Sequence, residues 1–426
     1  MLDSSAAGIE ASTVRYSKEK TRGWAIVVLL CAAFIIAYLD RQNLSIALSA
    51  REFKNFFGLS DKDRGFLNSA FFWSYAALQI PAGWLVDRFG VKRPFAIALA
   101  LWSVVAGLTA WCGSAAQLFT MRLLLGAGEA VNTPAGMRWI RLNFDQQRHG
   151  LVMGLYQASA KIGPAIGAPL AVWLLLAYGW RWMFILMGFG AMLWLVPWIL
   201  IVRDNDRELE RAVLKRAEVT PICFGALLSN RVMWGVIIGS FCYNYFNYFC
   251  LTWLPAYFAE CRELSLNSTG WFTGFSFWGF AIVATATGFW ADRIVQRGGD
   301  PVTIRKRFII AGFVIASTEM IGATSSSNAV ALLFAVISLS GLGFATGNYW
   351  ALTPAILPGA PAGRLAAVQN MAANLAGIVA PILTGVLKQV TGGYEAAMWA
   401  NFSFLLLGVG SYVFLVRRKY APVAKR

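Results

Sequence analysis

Long apolar runs set the pattern of the chain. Trp24–Leu39 carries no charged residue, and runs of similar length recur almost to the C-terminus, separated by short stretches rich in Arg, Lys, Asp, Gly or Pro. About 20 apolar residues let a helix cross the hydrocarbon core of a bilayer. The pattern predicts twelve crossings, near 24–48, 65–86, 93–112, 115–141, 149–177, 182–202, 232–258, 268–290, 307–325, 329–352, 364–388 and 396–417. Most connections are short. The exception follows the sixth run, where Arg203-Asp204-Asn205-Asp206-Arg207-Glu208-Leu209-Glu210-Arg211 opens a dense charged stretch. The expected architecture is an all-α integral membrane protein with twelve transmembrane helices in two pseudo-symmetric six-helix bundles. Its parts are a tail at 1–23, a first bundle at 24–203, a linker at 204–230, a second bundle at 231–417 and a tail at 418–426.

Composition agrees. Only 14% of the 426 residues are charged and 58% are hydrophobic, whereas a soluble domain carries about 25% charged residues. The net charge of +16 belongs to topology and not to nucleic acid. On one side of the membrane the connections hold only Arg51, Lys54, Lys62, Arg64, Arg181, Arg262 and Lys388. The other side, with both tails, holds most of the remaining bases. Positive charge favours the cytoplasmic face, so both termini are expected in the cytoplasm, with some contact to anionic lipid. The polar stretch 1–23 does not read as a cleavable signal. The six cysteines are scattered without metal-ligand spacing, and the single histidine, His149, sits beside Arg148 with no nucleophile or metal cluster. An enzyme, a cofactor and a metal are therefore not expected. The short polar tails argue against a sensor with an appended signalling domain.

The charges inside the runs carry the chemistry. The first run is interrupted by Tyr38-Leu39-Asp40-Arg41-Gln42-Asn43 before apolar character resumes at Leu44. A charge at the centre of a membrane helix costs about 2.5–3.5 kcal/mol on insertion scales, so two in succession suggest a substrate and proton pathway. Tyr38, Arg41 and Ser45 form one stripe, with Asp40 about 100° round the helix. In the fourth run Arg122 and Glu129 share a face, about 10.5 Å apart along the axis, and Gly126 between them reads as open space. In the fifth, Gln157 and Lys161 share a face; Lys161 reads either as an anion ligand or as the ion-pair partner of a membrane acid. Glu319, in the ninth, reads as a neutralised acid at a helix contact. Asp40, Glu129 and Glu319 thus stand against Arg41, Arg122 and Lys161. An entering anion upsets that balance, and a proton on Asp40 or Glu129 restores it. The second half offers neutral groups instead: Asn244 within Tyr243-Asn244-Tyr245-Phe246-Asn247-Tyr248, then Trp350, Asn370 and Asn374. These suit hydroxyls and carboxylate oxygens, or serve as interhelical contacts.

Gly83-Trp84-Leu85-Val86-Asp87-Arg88-Phe89-Gly90-Val91-Lys92-Arg93 follows the second run, and Gly288-Phe289-Trp290-Ala291-Asp292-Arg293 follows the eighth. The first resembles the signature loop of the major facilitator superfamily. The resemblance implies a gating loop in which Gly83, Asp87, Arg88, Gly90 and Arg93 participate without binding substrate. The glycine is expected to allow close helix approach, and the aspartate to meet a helix N-terminus or a neighbouring arginine.

Within that superfamily the chain resembles the anion:cation symporters, which include bacterial sugar-acid transporters and the vertebrate sialic acid and vesicular glutamate carriers. The resemblance rests on Tyr38-Leu39-Asp40-Arg41, Tyr75, Arg122 with Glu129, Leu251-Thr252-Trp253-Leu254-Pro255, and Asn374 through Gly385. It covers about 20–418. It implies a proton-coupled symporter that imports a small organic anion, such as a hexuronate, aldonate or aldarate, by alternating access across a bacterial inner membrane. Arg41 matches the family's carboxylate-binding arginine, and Tyr38, Tyr75 and Asn374 its substrate contacts. Asp40 and Glu129 match its proton-responsive acids, with Arg122 close to Glu129. Protons, the anion and membrane lipids are the expected partners, and a monomer the expected state. Two departures stand out: Lys161, where relatives usually carry a small or amide residue, and the apolar Trp350-Ala351-Leu352-Thr353-Pro354. They leave a dicarboxylate or aromatic carboxylate as alternatives, or a solute sensor that binds without transport.

Overall fold

The computed structural model of the chain describes residues 3–144, 146–203, 229–357 and 362–420. The expected linker, apart from 229–230, and the tail beyond 420 lie outside the described residues.

Among the described residues, eight helical stretches are long and apolar enough to cross a membrane. One of them, Val152–Ile201, contains two spans. It breaks at Gly179, whose φ of 82° suits a residue without a Cβ. Three further segments complete the twelve. They are Asp61–Phe89, the pair Ala115–Glu129 and Asn132–Asn143, and Arg231–Ala256. The pair is broken into helices of 15 and 12 residues, each too short to cross alone, and polar residues such as Arg64 and Asn68 in one of the other two and Asn244 and Asn247 in the other lower their mean hydropathy.

The spans in order are Arg22–Ser49 (one), Asp61–Phe89 (two), Lys92–Trp111 (three), Ala115–Asn143 (four), 146–178 (five), 180–201 (six), Arg231–Ala256 (seven), Leu266–Gln296 (eight), Pro301–Thr324 (nine), Asn328–Ile356 (ten), Ala362–Thr391 (eleven) and Glu395–Leu415 (twelve). Span nine begins six residues earlier than the hydropathy suggests. Asp300 caps it, accepting from the Thr303 N–H at 3.0 Å, and Pro301 occupies its first turn, where its missing N–H is no loss. Arg305, Lys306 and Arg307 therefore extend a helix and do not form a loop.

Within the first half span five packs along span one and span two along span four. In the second, span ten packs against spans eight and nine, and span seven against eleven and twelve. The halves meet through span two with eleven, five with eight, and one with seven.

The two ends of the bundle differ. At one end the halves are pressed together. A Cβ on Gly65 would come within 2.6 Å of the Pro381 carbonyl oxygen, and one on Gly274 within 2.9 Å of that of Ala165. Helix breakage after Pro255 produces a π-turn, Tyr257–Cys261, which carries Glu260 over this contact. Glu260 meets Lys54 at 2.5 Å and Arg64 at 3.0 Å from the first half, and Lys388 at 2.6 Å from its own. Lys388 also reaches across to Asp61 at 2.8 Å, and the Tyr394 hydroxyl donates to Glu260 at 3.0 Å.

The opposite end gathers the start of span one and the end of span six, where Arg22 donates to the Ile201 carbonyl, and the start of span nine with Arg418, which pairs with Asp300. Ion pairs between described residues here stay within a half. Asp87 pairs with Arg138, and Asp292 with Arg305 at 2.6 Å. The expected role of Gly83 in close helix approach does not hold, because a Cβ there, or on Gly288, would meet nothing within 4 Å. Gly90 is the glycine the loop requires, with φ 81° and ψ 179°. Arg88 lies over the Trp84 ring at 5.6 Å, and Arg93 follows at the start of span three.

Candidate functional site

The interrupted first run folds as one unbroken helix, and its charges are buried at the centre of the bundle. Arg41 donates from Nε and Nη2 to a single oxygen of Glu129, Oε2, at 2.9 and 2.8 Å. Its guanidinium carbon stands 4.5 Å from the Tyr38 ring centroid, 4.3 Å from Phe71 and 5.0 Å from Tyr75. Three ring faces and one carboxylate thus enclose one cation, and each ring contributes about 0.5–2 kcal/mol of attraction. The Tyr75 hydroxyl meets Thr133 Oγ1 at 3.2 Å. The other Glu129 oxygen, Oε1, is buried without a hydrogen bond from the described residues.

Arg122 lies on the Glu129 face, yet it makes no ion pair with that residue. Its Nη1 donates to the main-chain oxygen of Asp40 at 3.2 Å. Helical spacing aligned Arg122 with Glu129 but placed them two turns apart, and Arg41 from a neighbouring helix reaches Glu129 first. Gly126 is not open space. A Cβ there would lie 2.2 Å from the Phe71 carbonyl oxygen, so this glycine seats span four against span two and holds Glu129 beside Phe71. Asp40 is buried, and its Oδ2 makes no hydrogen bond with the described residues.

Lys161 does not form the ion pair with a membrane acid that was one of its two expected roles. Its Nζ donates to Asn247 Oδ1 at 3.3 Å, in the other half. It stands 4.6 Å from the Phe280 ring centroid and 6.0 Å from that of Tyr243. No carboxylate of the described residues lies within ion-pair distance of it, Asp40 included. Gln157, one turn away, is partly exposed.

On the second half Tyr243 bonds Thr346 at 2.8 Å and packs on the Tyr349 ring at 4.7 Å, with Trp350 5.1 Å beyond. The Asn244 amide donates to the Ser240 carbonyl of its own helix at 2.8 Å, which leaves its second N–H and its oxygen for other partners. Asn370 bonds Gln79 across the halves. Asn374 is buried, one turn before Gly377, where a Cβ would come within 2.4 Å of the Phe72 ring. Glu319 lies apart, at a contact with Asn401 3.5 Å away. Among the described residues no three His, Cys, Asp or Glu side chains converge as a metal site requires.

Several participants escaped the sequence reading. Phe71 and Phe280 resemble any membrane phenylalanine until a cation lies over them. Asn247 stands among five other polar or aromatic residues, and only the partner helix distinguishes it. The Glu260 cluster was legible solely as loop charges.

Comparison with known proteins follows the same lines. The family model described as Major Facilitator Superfamily matches residues 30–381. A protein of Escherichia coli K12 named "Probable L-galactonate transporter" is 30% identical over 92% of this chain and 89% of its own. One of Cupriavidus necator named "Probable sulfoacetate transporter" is 30% identical over 91% of each. The crystal structure of a bacterial homolog of the human lysosomal transporter Spinster superposes with a TM-score of 0.73, at 16% identity, covering 94% of this chain and 98% of that one. Twelve spans in two halves, a signature loop and these matches make the chain a member of the Major Facilitator Superfamily, a membrane transporter of a small organic substrate and not an enzyme.

Proposed function

We propose that this transporter imports a sugar acid or similar small organic anion together with protons, by alternating access across a bacterial inner membrane. The observation that carries the reading is the Arg41–Glu129 pair inside its aromatic cage. Arg41 has the geometry to grip a carboxylate in two-pronged fashion, but Glu129 holds it. A proton on Glu129 neutralises the competitor and frees the guanidinium. Loss of that proton returns Arg41 to Glu129 and expels the anion. Competition for one cation therefore links the two fluxes. Asp40, with Arg122 at its main chain, is a second candidate for proton uptake in the same polar centre.

Tyr38 and Tyr75 flank the bound carboxylate in this scheme, and Gln157, Asn244, Trp350, Asn370 and Asn374 contact the remainder of the solute. The halves at 24–203 and 231–417 act as the moving bodies. Positive-inside asymmetry puts the termini in the cytoplasm, so the sealed end faces outward. The ion pairs of Asp87 and Asp292, each within its own half, suit an inner face that is not locked. A monomer surrounded by lipid suffices, because both halves lie in one chain. The names of the relatives support the solute class: one is named for a sugar acid, the other for a sulfonated acid.

Uptake of radiolabelled galactonate into proteoliposomes with an imposed pH gradient tests the reading. Inward proton flow supplies about 2.3 kcal/mol per charge per 100 mV. Accumulation is expected to collapse when an uncoupler is added; accumulation that persists refutes proton symport.

A further inference from the structure

Lys161 has no role in the competition between Glu129 and substrate for Arg41, yet it is about as deeply buried as Arg41, at 9% against 8% exposure. Its surroundings suit an anion that is not part of the protein. The ammonium donates to a single amide oxygen, Asn247 Oδ1, and lies over the Phe280 ring. Among the described residues, the charged side chain that bears on it is another cation, Arg41. Arg41, Arg64, Arg138 and Arg305 each have a carboxylate within ion-pair distance, and the buried Arg122 and Arg262 donate to main-chain carbonyl oxygens; among the described residues Lys161 has neither, only the Asn247 amide. A buried charge without a counter-ion costs several kcal/mol.

The helices that carry Lys161 and Arg41 are held in close contact. A Cβ on Gly163 would fall 2.5 Å from the Tyr38 Cβ and 2.9 Å from the Ile35 carbonyl oxygen, and one on Gly167 2.8 Å from Leu39. Spans one and five therefore pack backbone against backbone immediately beside Lys161. The same Tyr38 covers Arg41. Two cations are thus mounted on one rigid helix pair.

The charge balance then singles out a class of solute. The first-half centre holds Asp40 and Glu129 against Arg41, Arg122 and Lys161. With every group ionised its charge is +1, and a proton on Glu129 makes it +2. A monoanion leaves one cation uncompensated in that loaded state. A dianion neutralises both.

We infer that the preferred substrate carries two acidic groups, with Lys161 as the ligand of the second, a carboxylate or sulfonate, while Arg41 takes the first. This rests on the proposed reading of the centre as an organic-anion site and narrows it. Relatives named for a monoacid and for a sulfonated acid match this chain at the same 30% identity, so kinship alone does not choose between the classes.

Matched pairs test the inference, each differing in one terminal group: galactarate against galactonate, and succinate against 4-hydroxybutyrate. Binding to the purified protein is measured by calorimetry for the wild type, Lys161→Gln and Lys161→Arg. The wild type is expected to favour the dianion of the pair it accepts by at least about 30-fold, the scale of losing one partner of a buried charge pair. Lys161→Gln is expected to remove that preference while leaving the monoanion within about threefold, and Lys161→Arg to restore part of it. The inference is overturned if the wild type favours no dianion, or if Lys161→Gln weakens both members of a pair equally. Tight binding of monoanions alone overturns it but preserves the organic-anion reading. Binding of no compound in either pair overturns both.

Discussion

Replacing Glu260 by Gln tests how the sealed end is held. Burial alone would raise the Glu260 carboxyl, but the Arg64 charge and the hydrogen bonds from Lys388 and Lys54 overcome it and bring its pKa from 4.5 to about 2. A depression of that size corresponds to about 3 kcal/mol of interaction favouring the ionised form. Lys388 sits in the same half as Glu260 and would stay with it in the proposed parting of the halves. Lys54 and Arg64 belong to the other half. Assigning them two-thirds of the total leaves about 2 kcal/mol that depends on closure, or about 30-fold in the closed-to-open ratio. Val172, against which a Cβ on Gly270 would press at 2.9 Å, lies buried where spans five and eight meet. In a variant carrying Val172→Cys and Cys261→Ser, a membrane-impermeant thiol reagent reaches residue 172 only through the open state. Its reaction rate then tracks the open population when opening is fast relative to modification. Glu260→Gln is expected to raise this rate about 30-fold. A change below about threefold refutes the assignment of Glu260 as the hub of the seal. The acid has a folded pKa below its ordinary value, so its contribution is complete above about pH 4.5 and fades as pH falls toward 2. With Glu260 in control, the rate divided by the thiolate fraction of the introduced cysteine is flat between about pH 5 and 8.

Other outcomes follow from the centre of the molecule. Glu129→Gln is expected to abolish accumulation driven by a pH gradient while preserving exchange of internal for external solute; loss of both would make Glu129 structural. Arg41→Lys keeps the charge but loses the two-pronged fork and the planar stacking on three rings. Anion affinity is expected to fall about tenfold or more by calorimetry, and unchanged affinity would remove Arg41 from the site. Gly163→Leu forces a side chain into the Tyr38 contact and is expected to cost about 1–3 kcal/mol, read as a lower melting temperature of the purified protein. An unchanged melting temperature would mean that spans one and five are not locked there.

The twelve spans were legible because a bilayer imposes an apolar length that survives in any single sequence. Arg41, Asp40, Glu129 and Lys161 were legible for the same reason, since each violates the apolar rule. Their partners were not. Periodicity reports which residues share a face of one helix, so it aligned Arg122 with Glu129 and could not see Arg41 arriving from span one. It likewise read Gly126 as empty space, although a glycine marks emptiness or contact equally until the neighbouring helix is in place. Glu260, Lys54, Arg64 and Lys388 come from four separate segments, and no local pattern joins them.

The cage around Arg41 is built entirely from the first half: Tyr38, Phe71, Tyr75 and Glu129 lie on spans one, two and four. Any swing of one half against the other carries it along intact. A pocket transported whole has the same intrinsic grip whichever compartment it faces, so it cannot by itself favour one direction. In the proposed proton-coupled scheme, sidedness enters through what differs between the two exposures: the local proton activity at Glu129, and the contacts remade across the halves, such as Lys161 with Asn247. Vectorial transport would then be a property of the boundary between the halves, while chemical recognition at Arg41 travels as fixed cargo within one of them.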